Sequence, residues 1–169
     1  IDDFAVSVAK TALWIAQLQM TLETSEVMGE WIAPLPLKSN DNIVCGNALR
    51  MDWNDVLPAE QCDYIIGNPP FIGQDGKNDE QKKDMILIWG EKSDGYLDYV
   101  TAWYKKSVDY FATVSNGSFA FVSTNSICQG EPVAALFRPL FDKGWRISFA
   151  WPTFVWTGEA IDKANVHVV

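Results

Sequence analysis

Short apolar runs alternate along this chain with longer stretches of helical periodicity. The runs Cys62–Ile66 and Ser118–Ser123 are largely apolar and end at a glycine or at polar residues, as buried strands do. Helical spacing of apolar residues marks Tyr96–Phe111 and Glu131–Phe141. Strands that alternate with helices of ten or more residues are typical of βαβ units. The sequence therefore predicts an α/β fold with a mainly parallel sheet.

The remaining segments extend this prediction. Asp2 and Asp3 precede an apolar stripe that runs from Phe4 to Leu22 at helical spacing, which predicts an aspartate-capped helix. Residues 72–94 lose periodicity and gain charge, so we expect a loop there with at most a helical turn. We expect further short strands in three segments: Asn42–Cys45, Trp145–Trp151 and Asn165–Val169.

Composition excludes several classes of protein and of site. With 48% hydrophobic residues in 169, the chain can form a core and is not disordered. One histidine, His167, and three cysteines without metal-ligand spacing predict no metal site. We expect these cysteines to be buried and reduced in a cytoplasmic protein. No apolar run approaches the roughly 20 residues that a membrane span needs, so we expect no membrane partner.

The string Gly67-Asn68-Pro69-Pro70-Phe71 at the end of a predicted strand is the most informative motif. Asn-Pro is a common turn starter, so a proline-stiffened turn is one interpretation. Two prolines also fix φ at successive positions and remove both backbone donors. The corner then presents an amide side chain, carbonyl oxygens and an aromatic ring. This is an acceptor-rich pocket for a flat group that bears an NH₂.

An exocyclic amine of a nucleobase fits this chemistry. Its nitrogen lone pair is delocalised into the ring, which makes it a poor nucleophile. The Asn68 side-chain oxygen and the Pro69 carbonyl can each accept one N–H and so draw the nitrogen towards tetrahedral geometry. Fixed acceptors of this kind favour the transition state over the flat ground state. Phe71 would stack on the base.

The Asn-Pro-Pro-Phe motif resembles the catalytic motif of S-adenosylmethionine-dependent amino-methyltransferases, above all the DNA adenine-N6 enzymes. The strings Gly46–Trp53 and Phe121–Glu131 are similar to the MmeI-like group of type II restriction–modification proteins, and the similarity covers essentially the whole chain. The resemblance implies a Rossmann-like class I methyltransferase fold. Residues 1–169 would be a partial catalytic domain without the first strands and the glycine-rich loop, since no Gly-x-Gly occurs in the sequence.

The resemblance also implies roles for single residues. Asn47 would hold the adenine amino group of the cofactor, the Ala48 N–H would meet a ring nitrogen, and Ile1 would pack on the adenine ring. Phe154 and Trp156 lie where the family places a second aromatic against the flipped base. Each aromatic is also typical of a core position at a strand end, and Asn47 of a tight turn. The catalytic residues implied are Asn68, Pro69, Pro70 and Phe71.

The implied partner is duplex DNA, held through a full-length bacterial protein. The chain opens on Ile1 and stops within an apolar run, so we expect a longer polypeptide around it. Its net charge of −9 predicts that this segment does not hold duplex DNA alone. Lys77, Lys82 and Lys83 could contact phosphates, although a loop so rich in acids is typical of a solvated surface.

Two other functions fit the motif. A protein glutamine methyltransferase would also present a planar NH₂ to Asn-Pro-Pro. A catalytically silent methylase-like scaffold would lack the glycine-rich loop. Cytosine-N4 methylation is disfavoured, because that branch usually carries serine at the first motif position.

Overall fold

The computed structural model describes residues 3–33, 43–91, 95–155 and 167–169. The chain divides into two compact units, Ile1–Leu57 and Pro58–Val169. The Asn68–Phe71 corner lies in the second unit. Asn47 lies in the first.

The first unit is built on one long helix, α1 (Asp3–Met28). The predicted helix is confirmed, and it continues for six residues past Leu22. None of its residues is buried, and Phe4 at the start of the apolar stripe is 77% exposed. The strand predicted at Asn42–Cys45 is wrong for residues 43–45, which join no ladder, while Asn42 lies outside the described residues.

The second unit combines helices and strands. Within the described ranges its elements are, in chain order, β1 (Tyr64–Gly67), α2 (Asp79–Trp89), α3 (Thr101–Tyr110), β2 (Ser118–Phe121), α4 (Glu131–Asp142), β3 (Phe154–Val155) and β4 (His167–Val168). Single turns of 3₁₀ helix occur at Trp53–Asp55, Ala59–Gln61 and Asn125–Cys128.

Strands β1 and β2 form a parallel pair, in register from Tyr64 opposite Ser118 to Gly67 opposite Phe121. Parallel neighbours require a long crossover, and α2 and α3 lie within the segment that joins them. Strands β3 and β4 pair antiparallel. The prediction of an α/β chain with parallel strands is confirmed. The strand predicted at Trp145–Trp151 is wrong, because these residues join no ladder.

The core of the second unit lies around α3, which packs against α2 and α4. Phe111, Val108 and Leu136 are almost fully buried. Next to them is a cluster of aromatic rings: Phe119 lies 4.8 Å from Trp145 and 5.8 Å from Tyr104, measured between ring centroids. On the other face of the sheet, Tyr64 and Ile66 are 75% and 80% exposed. One face of the parallel pair is therefore packed against the core, and the other face is exposed.

Helix boundaries follow local chemistry. The loop predicted over residues 72–94 is wrong for residues 79–89, which form α2, and this helix begins with a capping box between Asn78 and Gln81. Helix α4 has Pro132 in its first turn, as predicted. Gly144 follows its end with φ +86, a conformation that L residues rarely adopt. The capping box therefore sets the start of α2, and Pro132 and Gly144 mark the two ends of α4.

Candidate active site

The Asn-Pro-Pro-Phe corner directly follows β1. Gly67 ends the strand, Asn68 and Pro70 are exposed, Pro69 is buried, and Phe71 is half-buried. Within the described ranges, no hydrogen bond engages the Asn68 side chain or the Pro69 carbonyl. The amide is thus presented at the surface, at the carboxyl end of a parallel strand. In α/β sheets this is the edge at which ligands bind.

The chain after the corner is held by Asp98, a residue that the sequence analysis did not single out. One carboxylate oxygen accepts from the Ile72 N–H at 3.1 Å and from the Gly73 N–H at 3.0 Å. The side chain is buried, with only 4% of Asp98 exposed. Its signal in the sequence was an acidic residue between Leu97 and Tyr99, within a segment predicted to be helical. Helix α3 in fact begins only at Thr101.

The other carboxylate oxygen of Asp98 accepts from the Thr124 hydroxyl at 3.0 Å. Thr124 belongs to the polar elbow, residues 123–126, which follows β2. Its neighbour Ser123 exchanges two backbone hydrogen bonds with Val169 and lies 2.8 Å from the Tyr104 hydroxyl, between oxygens. One buried carboxylate therefore connects the segments that follow both parallel strands.

Phe154 lies on the same side of the second unit as this elbow. Thr124 forms a bridge with Val168, and Val168 pairs in turn with Phe154 on β3. The row Thr124–Val168–Phe154 joins the elbow to the strand that carries the candidate aromatic. Phe154 is 46% exposed, so its ring is not enclosed in the core. Trp156, the other candidate for stacking, lies outside the described residues.

The Asn47–Ala48 turn lies in the first unit. The Asn47 side-chain oxygen accepts from the Leu49 N–H at 2.9 Å, and the Ala48 carbonyl accepts from the Trp53 indole at 2.8 Å. In the described part of the chain, no hydrogen bond uses the Ala48 N–H. Ile1, the third residue predicted to contact the cofactor, lies outside the described residues.

The three lysines considered for phosphate contact have protein partners. The Lys77 ammonium donates to the carbonyls of Gln74 at 2.6 Å and Leu97 at 2.8 Å, and burial lowers its pKa despite the nearby Asp98. Lys82 and Lys83 pair with the acids three residues before them, Asp79 and Glu80. Lys77 therefore holds the loop 73–77 against the turn before α3.

The cysteines differ from the prediction. None of the three forms a disulfide, but Cys45 and Cys128 are exposed and Cys62 is half-buried, because the segments that carry them lie at the surface. Partial desolvation raises the pKa of the Cys128 thiol, which disfavours a thiolate. In the residues that the structure describes, no group of three His, Cys, Asp or Glu could hold a metal ion. No helix among them is long and apolar enough to cross a membrane.

Comparison with known proteins identifies the family. The family model for the MmeI DNA-methyltransferase domain matches residues 1–169. The chain belongs to this family. It is 43% identical over 173 residues to DNA methyltransferase A of Bacillus subtilis strain 168, across 100% of this chain and 20% of that protein. Thus the chain spans about a fifth of the curated relative that it matches.

A solved structure agrees with this family assignment. The type IIL restriction–modification enzyme MmeI, determined in complex with DNA, matches 99% of this chain and 23% of its own with a TM-score of 0.92 and 46% identity. The resemblance that the sequence motifs indicated is therefore confirmed: the chain is an MmeI-like methylase segment. Its α/β architecture with a small parallel sheet matches the corresponding region of MmeI.

Proposed function

We propose that this chain is part of the catalytic domain of an enzyme that methylates adenine N6 in duplex DNA with S-adenosylmethionine. The observation that carries the proposal is the Asn68 amide, exposed at the carboxyl end of β1 and followed by two prolines and an aromatic ring. Family membership supports DNA methylation. The solved MmeI complex supports DNA as the partner. We further propose a Rossmann-like fold and a cytoplasmic restriction–modification protein of bacteria.

The corner offers two acceptors for the amine of a target adenine. The Asn68 oxygen and the Pro69 carbonyl have no other hydrogen-bond partner within the described ranges, so accepting the two N6 protons breaks no protein contact. Both acceptors belong to a corner whose backbone is restricted by two prolines, which limits the reorganisation that the reaction requires. The adenine reaches them by leaving the duplex, at a cost of a few kcal/mol. Stacking on Phe71 offsets part of this cost, and Phe154 or Trp156 would cover the other face of the base.

The Asn47–Ala48 turn suits the purine end of the cofactor. The Ala48 N–H, which donates to no acceptor among the described residues, can donate to a ring nitrogen. The family resemblance gives the Asn47 side-chain oxygen the role of accepting from the cofactor amine. Ile1 would pack on the adenine ring. S-adenosylmethionine held by this turn would supply an electrophilic methyl group for adenine N6. The Asn68 oxygen orients the attacking nitrogen, and we assign no nucleophilic role to Cys62 or Cys128.

The test is a product analysis with the full-length protein. Plasmid DNA is incubated with S-adenosylmethionine that carries a labelled methyl group, digested to nucleosides and analysed by mass spectrometry. We expect the label in N6-methyladenine. Label found only in N4-methylcytosine would contradict the choice of base. A glutamine-containing peptide assayed in parallel should stay unlabelled, and its methylation without any methylation of DNA would establish the protein substrate instead.

A further inference from the structure

The Asn68–Phe71 corner is fixed at both of its ends. At its entry the Gly67 carbonyl accepts from the Val122 N–H at 3.1 Å, which continues the parallel ladder to the last residue before Asn68. At its exit the amides of Ile72 and Gly73 both donate to one oxygen of Asp98. Only four residues lie between these fixed points, and two of them are prolines with restricted φ. The corner therefore has few conformations available.

The exit contact is the one that depends on a single side chain. The entry is part of a strand ladder, whereas at the exit the amides of Ile72 and Gly73 both donate to the buried Asp98 carboxylate. The backbone of Asp98 is itself held, because its carbonyl accepts from the Thr101 N–H at 3.0 Å and from the Thr101 hydroxyl at 2.7 Å. The carboxylate thus projects from a rigid turn at the start of α3.

The same carboxylate also sets the position of the elbow after β2. Its second oxygen accepts from Thr124, which bridges to Val168 beside Phe154. An aspartate can accept from both sides at once, since its two oxygens act only as acceptors when ionised. An asparagine would present an NH₂ group on one side, where an N–H or hydroxyl donor needs an acceptor. The charge distribution of Asp98 therefore matches the three donors that it connects.

We propose that Asp98 is a positioning residue for methyl transfer, which sets the placement of Asn68 and Phe71 relative to the Thr124 elbow. This inference rests on the proposed function. Asp98 is not a catalytic residue, because its carboxylate is occupied by protein donors and faces the interior. It acts through the corner: if the exit loosens, the Asn68 oxygen is held less accurately, and small displacements of such groups cost rate without costing affinity.

The first test compares Asp98→Asn with Asp75→Asn in the full-length protein. Asp75 is an exposed acid of the same loop, so its substitution removes the same charge without touching the corner. For Asp98→Asn we expect the single-turnover methylation rate to fall about tenfold, with KM for DNA and for cofactor within about twofold of wild type. Asp75→Asn should behave as wild type. An unchanged rate for Asp98→Asn, or a loss that only follows the folded fraction, would overturn the proposal.

The second test uses Thr124, so that the proposal remains testable if Asp98→Asn does not fold. Thr124→Val removes the donor to Asp98, whereas Thr124→Ser retains it. Ser126→Ala removes the partner hydroxyl that lies 2.7 Å from Thr124 and leaves Asp98 untouched. We expect Thr124→Val to be slow and the other two to be near normal. Equal rates for the valine and serine variants would refute a role of the Asp98 link.

A third measurement separates this inference from the proposed function. Hydrogen exchange at the amides of Ile72 and Gly73 reports the exit contact whether or not any methyl group is transferred. We expect faster exchange there in Asp98→Asn, with unchanged exchange in α3 and α4. If the wild-type protein methylated no DNA, the proposed function would fail and these exchange rates alone would decide whether Asp98 fixes the corner. Unchanged exchange would overturn the inference even if the enzyme were active.

Discussion

The Tyr104 hydroxyl lies 2.8 Å from the Ser123 hydroxyl, so that α3 contacts the residue at which β2 gives way to the elbow. Three residues before that helix, Asp98 contacts the same elbow and the segment after β1. Burial raises the pKa of Tyr104, although its hydrogen bond with Ser123 opposes this shift, and the phenol stays protonated at neutral pH. The candidate site is therefore supported from one side by α3 and the turn before it.

Removal of the Asn68 amide should abolish most activity without affecting folding. We expect Asn68→Ala in the full-length protein to lower single-turnover methylation by about a hundredfold or more, as for other preorganised polar groups. Because Asn68 is exposed and makes no hydrogen bond within the described ranges, the melting temperature should not change. Asn116→Ala, at an exposed turn before β2, is the matched control and should be fully active. Near-normal turnover of Asn68→Ala would refute its assigned role.

The aromatic ring of Phe71 should be required for activity, whereas a hydroxyl added to that ring should have little effect. Phe71→Leu loses base stacking, which is worth about 1–3 kcal/mol, and kcat/KM for DNA should fall about tenfold or more. Phe71→Tyr keeps the ring and should stay close to wild type. Steady-state kinetics with duplex DNA give the comparison. If leucine served as well as tyrosine, stacking by this residue would have to be abandoned.

Gly117 should not tolerate a side chain. A Cβ at this position would overlap the ring of Phe111, which is 2% exposed and belongs to the core. We expect Gly117→Ala to lower the free energy of unfolding by about 1–3 kcal/mol, as overpacked cores do. Gly95→Ala is the control, since a Cβ there meets nothing within 4 Å. Urea unfolding followed by tryptophan fluorescence measures both, and equal stability of the two variants would contradict the packing described.

The contribution of Asp109 to the free energy of unfolding should depend on pH. Burial opposes its ionisation, but hydrogen bonds from Lys105 and Lys143 outweigh that effect and lower its pKa. The contribution is present above the unfolded-state pKa and is lost as pH falls through the folded-state pKa. The ion pairs are partly exposed, so Asp109→Asn should cost about 0.5 kcal/mol at about pH 7 and nothing in acid. Urea unfolding at several pH values measures this, and Asp142→Asn, which changes an exposed acid on α4, is the matched control and should unfold as wild type at about pH 7.

The sequence predicted those strands and helices whose ends are set by residues next to them in the chain. Strands β1 and β2 were found because short apolar runs end at Gly67 and at Thr124, and α4 because Pro132 opens it. The strand predicted at residues 145–151 was wrong, because an apolar pattern reports a preference for burial and not the presence of a ladder partner. Helix α2 was missed although its capping box, Asn78 and Gln81, was visible in the sequence.

The corner itself was predictable because its chemistry is contiguous in the sequence. Asp98 was not, because its partners Ile72 and Thr124 are each 26 residues away along the chain. No pattern of spacing distinguishes an acid that binds distant backbone amides from one in a helix turn. The groups proposed to contact the substrate are therefore visible in the sequence, whereas the contacts of Asp98 that hold them are visible only in the structure.

The two prolines of the corner have a practical consequence for spectroscopy. Pro69 and Pro70 carry no amide proton, so amide-detected NMR and hydrogen exchange give no signal at these two residues of the candidate site. Fluorine placed on the Phe71 ring gives a direct signal at that point, and the neighbouring amides of Ile72 and Gly73 give an indirect one. Base capture should therefore be followed with a fluorinated phenylalanine.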